Sequence, residues 1–137
     1  MKSIAIVAPI EIQTTTGRKL PGKEGQFVSV SQLQFMLTML AEPAFLDQLR
    51  GLSAAKFQAG AKSEIERSFG PDGDGMVSDG VATALNRAAE RATFNIDVGG
   101  KDIGPGVTWC FLPFLQAIAD ARSVAPVAEQ SAPEAAA

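Results

Sequence analysis

The chain has 137 residues, a length that suits one domain, and its 46% hydrophobic and 20% charged residues give enough apolar mass for a core and too much for general disorder. A net charge of -3 argues against binding a phosphate backbone, which needs clustered Lys and Arg. With no His, no Tyr and a single Cys, the sequence excludes His-based acid/base catalysis, His triads, Cys clusters for zinc and internal disulfides.

From Ile4 through Ile6, Ala8, Ile10 and Ile12, apolar residues fall on every second position, the period of a half-buried strand. Pro9 has no N–H for a central ladder, so the strand breaks there or lies at an edge, and two short strands are an alternative. The segment from Thr14 to Gly25 is rich in turn residues and is expected to lead into a second strand at Phe27 to Val30, giving an N-terminal β-hairpin. Ser31 then caps a helix carrying Leu33, Phe35, Met36, Leu37, Met39 and Leu40, apolar on nearly every side.

Glu42 and Pro43 read as an end and a restart, because Pro suits the first turn of a helix and not its interior. The second helix carries Phe45, Leu46, Leu49, Leu52 and Phe57 and runs toward Phe69, with a bend or interruption expected at Gly51 or Gly60. Gly70-Pro71-Asp72-Gly73-Asp74-Gly75 is a strong breaker, and Ser78 with Asp79 opens a third helix whose stripe is Val81, Leu85, Ala88 and Ala92. Phe94, Ile96 and Val98 alternate toward Gly99-Gly100 as a short strand and turn. A last helix starts near Pro105 and holds Val107, Trp109, Cys110, Phe111, Leu112, Phe114, Leu115 and Ile118, kinked or divided at Pro113.

The expected fold is therefore mainly α, with four or so packed helices and a short N-terminal hairpin. Residues 1–122 form one globular domain, and residues 123–137, Ala- and Pro-rich without periodicity, form a disordered tail. The apolar run from Ile4 to Ile10 is closed by Glu11 before a signal-peptide pattern develops, and no stretch approaches the ~18 to 20 apolar residues of a membrane span, so a soluble intracellular protein is expected.

Few motifs carry chemistry. Counting an EF-hand loop from Asp72 puts Met76, Val77 and Thr83 where an oxygen ligand, the glycine and the bidentate Glu belong, so this segment reads as an acidic turn rather than a calcium site. Cys110 stands between Trp109 and Phe111 with no basic neighbour in sequence and reads as a structural thiol. Gly99-Gly100-Lys101 and Gly104-Pro105-Gly106 lack the spacing of phosphate loops. The basic residues Arg18, Lys19 and Lys23 read as a solvated hairpin loop, with docking on an acidic partner as the alternative. Glu64, Glu66, Asp72 and Asp74 sit in or beside exposed segments and make a carboxylate enzyme the least favoured class.

Phe35 to Leu40, Glu42-Pro43-Ala44-Phe45, Ala54-Ala55, Ser78-Asp79, Leu85-Asn86-Arg87-Ala88-Ala89 and Leu112-Pro113-Phe114-Leu115-Gln116-Ala117-Ile118 follow in that order between Val30 and Ala121. In that order they resemble small proteins from the structural and tail-morphogenesis modules of tailed bacteriophages. Asp102-Ile103-Gly104-Pro105-Gly106 stands where that resemblance calls for a Gly-Tyr-Asn-Pro-like lead-in.

The resemblance implies a non-catalytic virion assembly protein, looking like a tail assembly chaperone, located in the host cytoplasm or associated with the virion. Two helices apolar on nearly all faces exceed what so short a chain buries easily, which points to a protein partner or a homo-oligomer. Phe114, Leu115, Ile118, Phe35 and Met39 are the expected partner-binding residues. No cofactor, metal, nucleic acid, membrane or small-molecule substrate is expected. The alternative is a small phage-encoded inhibitor or regulator of a host protein.

Overall fold

A computed structural model describes residues 1–98 and 100–124. The 13 residues from 125 to 137, where most of the expected disordered tail falls, lie outside the described residues. About half the chain is helical, and short strands make the fold mixed rather than purely α. In chain order the elements are strands β1 (Lys2–Ser3), β2 (Ile10–Glu11) and β3 (Ser29–Val30), helices α1 (Gln32–Met39), α2 (Pro43–Leu46) and α3 (Gly51–Ser68), strand β4 (Met76–Val77) and helix α4 (Asp79–Arg91). Strands β5 (Asp97–Val98) and β6 (Lys101–Asp102) follow, then α5 (Gly104–Val107), a 3₁₀ turn at Thr108–Phe111, α6 (Leu112–Ala119) and β7 (Arg122–Ser123). Among the described residues no helix is long and apolar enough to cross a membrane.

Of the N-terminal alternation from Ile4 to Ile12, only Ile10–Glu11 is strand, and the other strand lies just before it at Lys2–Ser3. That earlier strand, β1, is the middle strand of a three-stranded antiparallel sheet between β4 and β7, and β2 pairs with β3 as the expected hairpin. Beyond β2, three backbone bonds run head to tail around three short segments: Ile12 N–H donates to Val28 (2.9 Å), Val28 N–H to Leu20 (2.9 Å) and Leu20 N–H to Ile12 (3.0 Å). Pairing continues through β7 to Val124, whose N–H donates to Met1 (2.9 Å). The structure thus stays paired two residues past the boundary expected at 122, because Lys2 and Ser3 need partners on both sides.

The local start and stop signals act as the residues dictate. Ser31 and Gln34 form a reciprocal capping box at α1, with bonds of 3.2 and 3.1 Å. Pro43 occupies the first turn of α2, and the long second helix breaks before Gly51, which opens α3 at φ +52°, while Gly60 passes unbroken. Ser78 caps α4, and Glu64 of α3 in turn accepts from the Ser78 N–H (2.7 Å) and hydroxyl (3.1 Å), locking the two helices end to side. Gly75, at φ +73°, lies so close to the Ile4 carbonyl that any Cβ would collide with it.

At the centre, Phe35 of α1 meets Phe114, Phe111 and Phe94 at ring-centroid distances of 5.1, 5.4 and 5.8 Å. Met36, Met39, Leu85, Val81 and Ile65 complete the core beside it, so the all-round apolar character of α1 is absorbed inside one chain.

Gln32 is a buried polar residue in that core. Its amide donates to the Ala5 carbonyl (2.8 Å) and accepts from the Val7 N–H (2.9 Å), bonding a stretch of backbone that lies between β1 and β2 and pairs with no strand. Losing a buried partner costs about 1–3 kcal/mol. Gln32→Ala is therefore expected to lower the unfolding free energy by about 1–3 kcal/mol in urea titrations. A change below about 0.5 kcal/mol would mean that water replaces the amide.

Candidate functional site

Pro113 divides the last helical stretch because it has no N–H to return to the Trp109 carbonyl; the Leu112 N–H bonds that carbonyl instead, and α6 begins afresh. The chain thereby passes from α5 through a 3₁₀ turn into α6, and the two sides of this passage differ sharply. Phe111, Phe114 and Ile118 point into the core, whereas Trp109 and Leu112, three residues apart, stay 47% and 60% exposed.

Trp109 and Leu112 line a groove of about 490 Å³ with Cys110, Pro113, and Pro9 and Ile10 of the N-terminal hairpin. Cys110 fastens the two walls together: its thiol donates to the Gln13 carbonyl (3.0 Å) and accepts from the Gln13 N–H (3.4 Å). Those bonds and its burial explain the thiol structurally. At the far end of the groove the Lys19 ammonium pairs with Glu11 (3.2 Å) and lies 5.2 Å from the centre of the exposed Phe27 ring. The groove is thus an apolar, aromatic- and proline-walled surface ending in one solvated ion pair. Trp is the residue type most enriched where interfaces concentrate binding energy.

The residues expected to bind a partner are placed differently. Phe35, Met39, Phe114 and Ile118 are buried in the core and Leu115 is half-buried against it. They face inward because α6 packs on α4 and sets Phe114 against Phe35 of α1, leaving the other face of the same segment to carry the exposed residues. The signal was present in the spacing: positions 111, 114 and 118 share one face, and positions 109 and 112 share another.

The remaining polar motifs have structural work. Asp74 accepts from the Met76 N–H (3.0 Å) and closes the acidic turn on itself. Glu66 pairs with Lys62 (2.9 Å), and Glu64 holds Ser78 as described. The turn at Gly100 joins β5 to β6, and Gly104 starts α5. Among the described residues no three His, Cys, Asp or Glu side chains gather closely enough to hold a metal ion. Asp79 has its carboxyl held below the usual range, first by a hydrogen bond from the N-terminal ammonium and then by that group's charge, and it sits away from the groove.

No protein-family model matches the chain, and no curated protein or solved structure matches it either.

The two faces of the final helical segment predict opposite responses. Phe114→Ser with Ile118→Ser removes two fully buried side chains, each worth about 3 kcal/mol or more, and is expected to abolish the cooperative thermal transition seen by circular dichroism. Trp109→Ser with Leu112→Ser removes exposed apolar surface and is expected to leave helix content unchanged and stability within about 1 kcal/mol.

Proposed function

We propose that this chain is a non-catalytic bacteriophage protein that acts in tail assembly by binding another structural protein of the virion. The observation that carries the binding half of this reading is the groove at Trp109 and Leu112, where large apolar side chains are held in water by the 3₁₀ turn and the first position of α6. An exposed Trp and Leu on a rigid element present apolar area without the cost of ordering a loop. The order of helix signatures from Phe35 to Ile118 supports the assembly half.

In this reading the occupant is an apolar segment of a tail component, and the chain covers it in the host cytoplasm until the component polymerises. A chaperone of this kind works by occupancy: apolar area that would pair with another copy of the component is buried against the groove instead. The Glu11–Lys19 pair at one end gives the groove a polar limit.

The test is complementation of the phage whose own copy is deleted. Wild-type chain supplied from a plasmid is expected to restore tailed particles, and the Trp109→Ser, Leu112→Ser variant, at equal soluble level, is expected to lower their yield by about tenfold or more. Normal tails from the double variant would overturn the assignment of the groove. Normal tails with no copy at all would overturn the function.

A further inference from the structure

Leu52 is the most exposed large apolar side chain among the described residues, at 70%. It stands in the first turn of α3, and Lys56, four positions on, shares its face and joins no ion pair among the described residues. The side of α3 that enters the core is the opposite one, carrying Ala61, Ile65 and Ser68. Leu52 is therefore a knob aimed into water with a cation beside it.

A groove of about 430 Å³ lies between the turn that follows α2 and the start of α4. Leu46, Leu49 and Phe57 line it with apolar surface, and Gly80 adds no side chain. A Cβ on Gly80 would meet nothing nearer than the Phe57 ring, at 3.9 Å, so the space beside it is open. The backbone around the groove is held firmly. Arg50 donates to the carbonyls of Asp47 (3.3 Å) and Leu49 (3.0 Å), the Leu49 N–H donates to Leu46 (3.0 Å), and Arg87 is turned onto the carbonyls of Ala44 and Phe45. These bonds keep Asp47 at φ +55°, a conformation that L residues rarely adopt. Asp47 lines the groove, and its carboxylate has no hydrogen bond or ion pair among the described residues. Asp79, on the α4 side, holds the N-terminal ammonium and is still 70% exposed.

We propose that Leu52 of one copy enters this groove of a second copy, with Lys56 reaching the carboxylates of Asp47 and Asp79 at its edge. The occupant is this chain itself, because an apolar side chain with a cation one helical turn away is what the groove accepts and what its own α3 presents. Leu52 and Phe57 are five positions apart, about 140° around α3, so knob and groove of one copy face different ways. The contact is therefore head to tail: each copy gives its knob to one neighbour and its groove to another. Such a contact closes into a ring or grows as a row. It goes beyond the binding of a tail component at Trp109 and Leu112, which line neither feature.

A contact of this size is weak, with a Kd on the order of 0.1–1 mM. In sedimentation equilibrium the average mass of the full chain is expected to be that of one copy near ~10 µM and to exceed two copies by about 1 mM. Leu52→Asp removes the knob and Gly80→Leu fills the groove. Each variant alone is expected to stay monomeric with wild-type circular dichroism; mixed, they are expected to form pairs and nothing larger, since one keeps its groove and the other its knob. Lys56→Glu, a surface change, is expected to weaken association about threefold or more at low salt. A wild-type chain that stays monomeric at about 1 mM, a mass that levels off at two copies, or association unaffected by Leu52→Asp would each overturn the proposal, whether or not Gly80→Leu folds. Association abolished only by Trp109→Ser with Leu112→Ser would overturn it as well, by placing the self-contact in the other groove.

Discussion

The structure depends on how the backbone of its irregular segments finds hydrogen-bond partners. Strands of two residues supply few ladder bonds, and a buried amide or carbonyl left alone costs about as much as a whole hydrogen bond contributes. Side chains fill the deficit. Gln32 serves Ala5 and Val7, Cys110 serves both polar groups of Gln13, and Asp102 serves Ile96 and Gly104. Arg87 donates to the carbonyls of Ala44 (3.2 Å) and Phe45 (3.3 Å), and Gln58 to that of Leu40 (2.9 Å), so the ends of α1 and α2 are closed by helices α3 and α4. The bonds of Gln32, Cys110, Arg87 and Gln58 each join a helix or 3₁₀ turn to a segment distant in sequence. The polar groups thus fix which helix faces which strand, while the apolar core supplies the driving force without much direction.

That division of labour explains what the sequence discloses. Boundaries are local events, and the residues that set them can be read directly: Ser31 at α1, the break before Gly51, the turn from Gly70 to Gly75, Ser78 at α4 and the restart at Pro113. Each rests on a cap, a ring or a positive φ that needs nothing from the rest of the chain. The sheet of β4, β1 and β7 is not local. Its pairs join Lys2 to Val77 and to Ser123, and two-residue strands leave no alternation to detect.

The same distinction governs the site. All-round apolar character in α1 and around Phe114 is what a helix packed on several sides requires, and it reads identically to a helix waiting for a partner. Only tertiary packing separates the two, and it places Phe35, Met39, Phe114 and Ile118 inside. The exposed pair Trp109 and Leu112 belongs to the segment that sequence reasoning singled out, on its opposite face. Glu42 was visible as a helix-restart signal, but that its carboxylate does not cap follows only from the side-chain geometry.

The two faces of the last helical segment are physically unlike. Trp109 projects outward from the 3₁₀ turn and Leu112 from the first position of α6, so they suit burial by another surface that comes to meet them. Phe111 on the other face is packed against Phe35 and Phe94 at 5.4 and 4.5 Å, so it ties the same segment to the core. A single 3₁₀-to-α junction therefore carries both faces, with Phe111 inside the core and its neighbours Cys110 and Leu112 lining the groove.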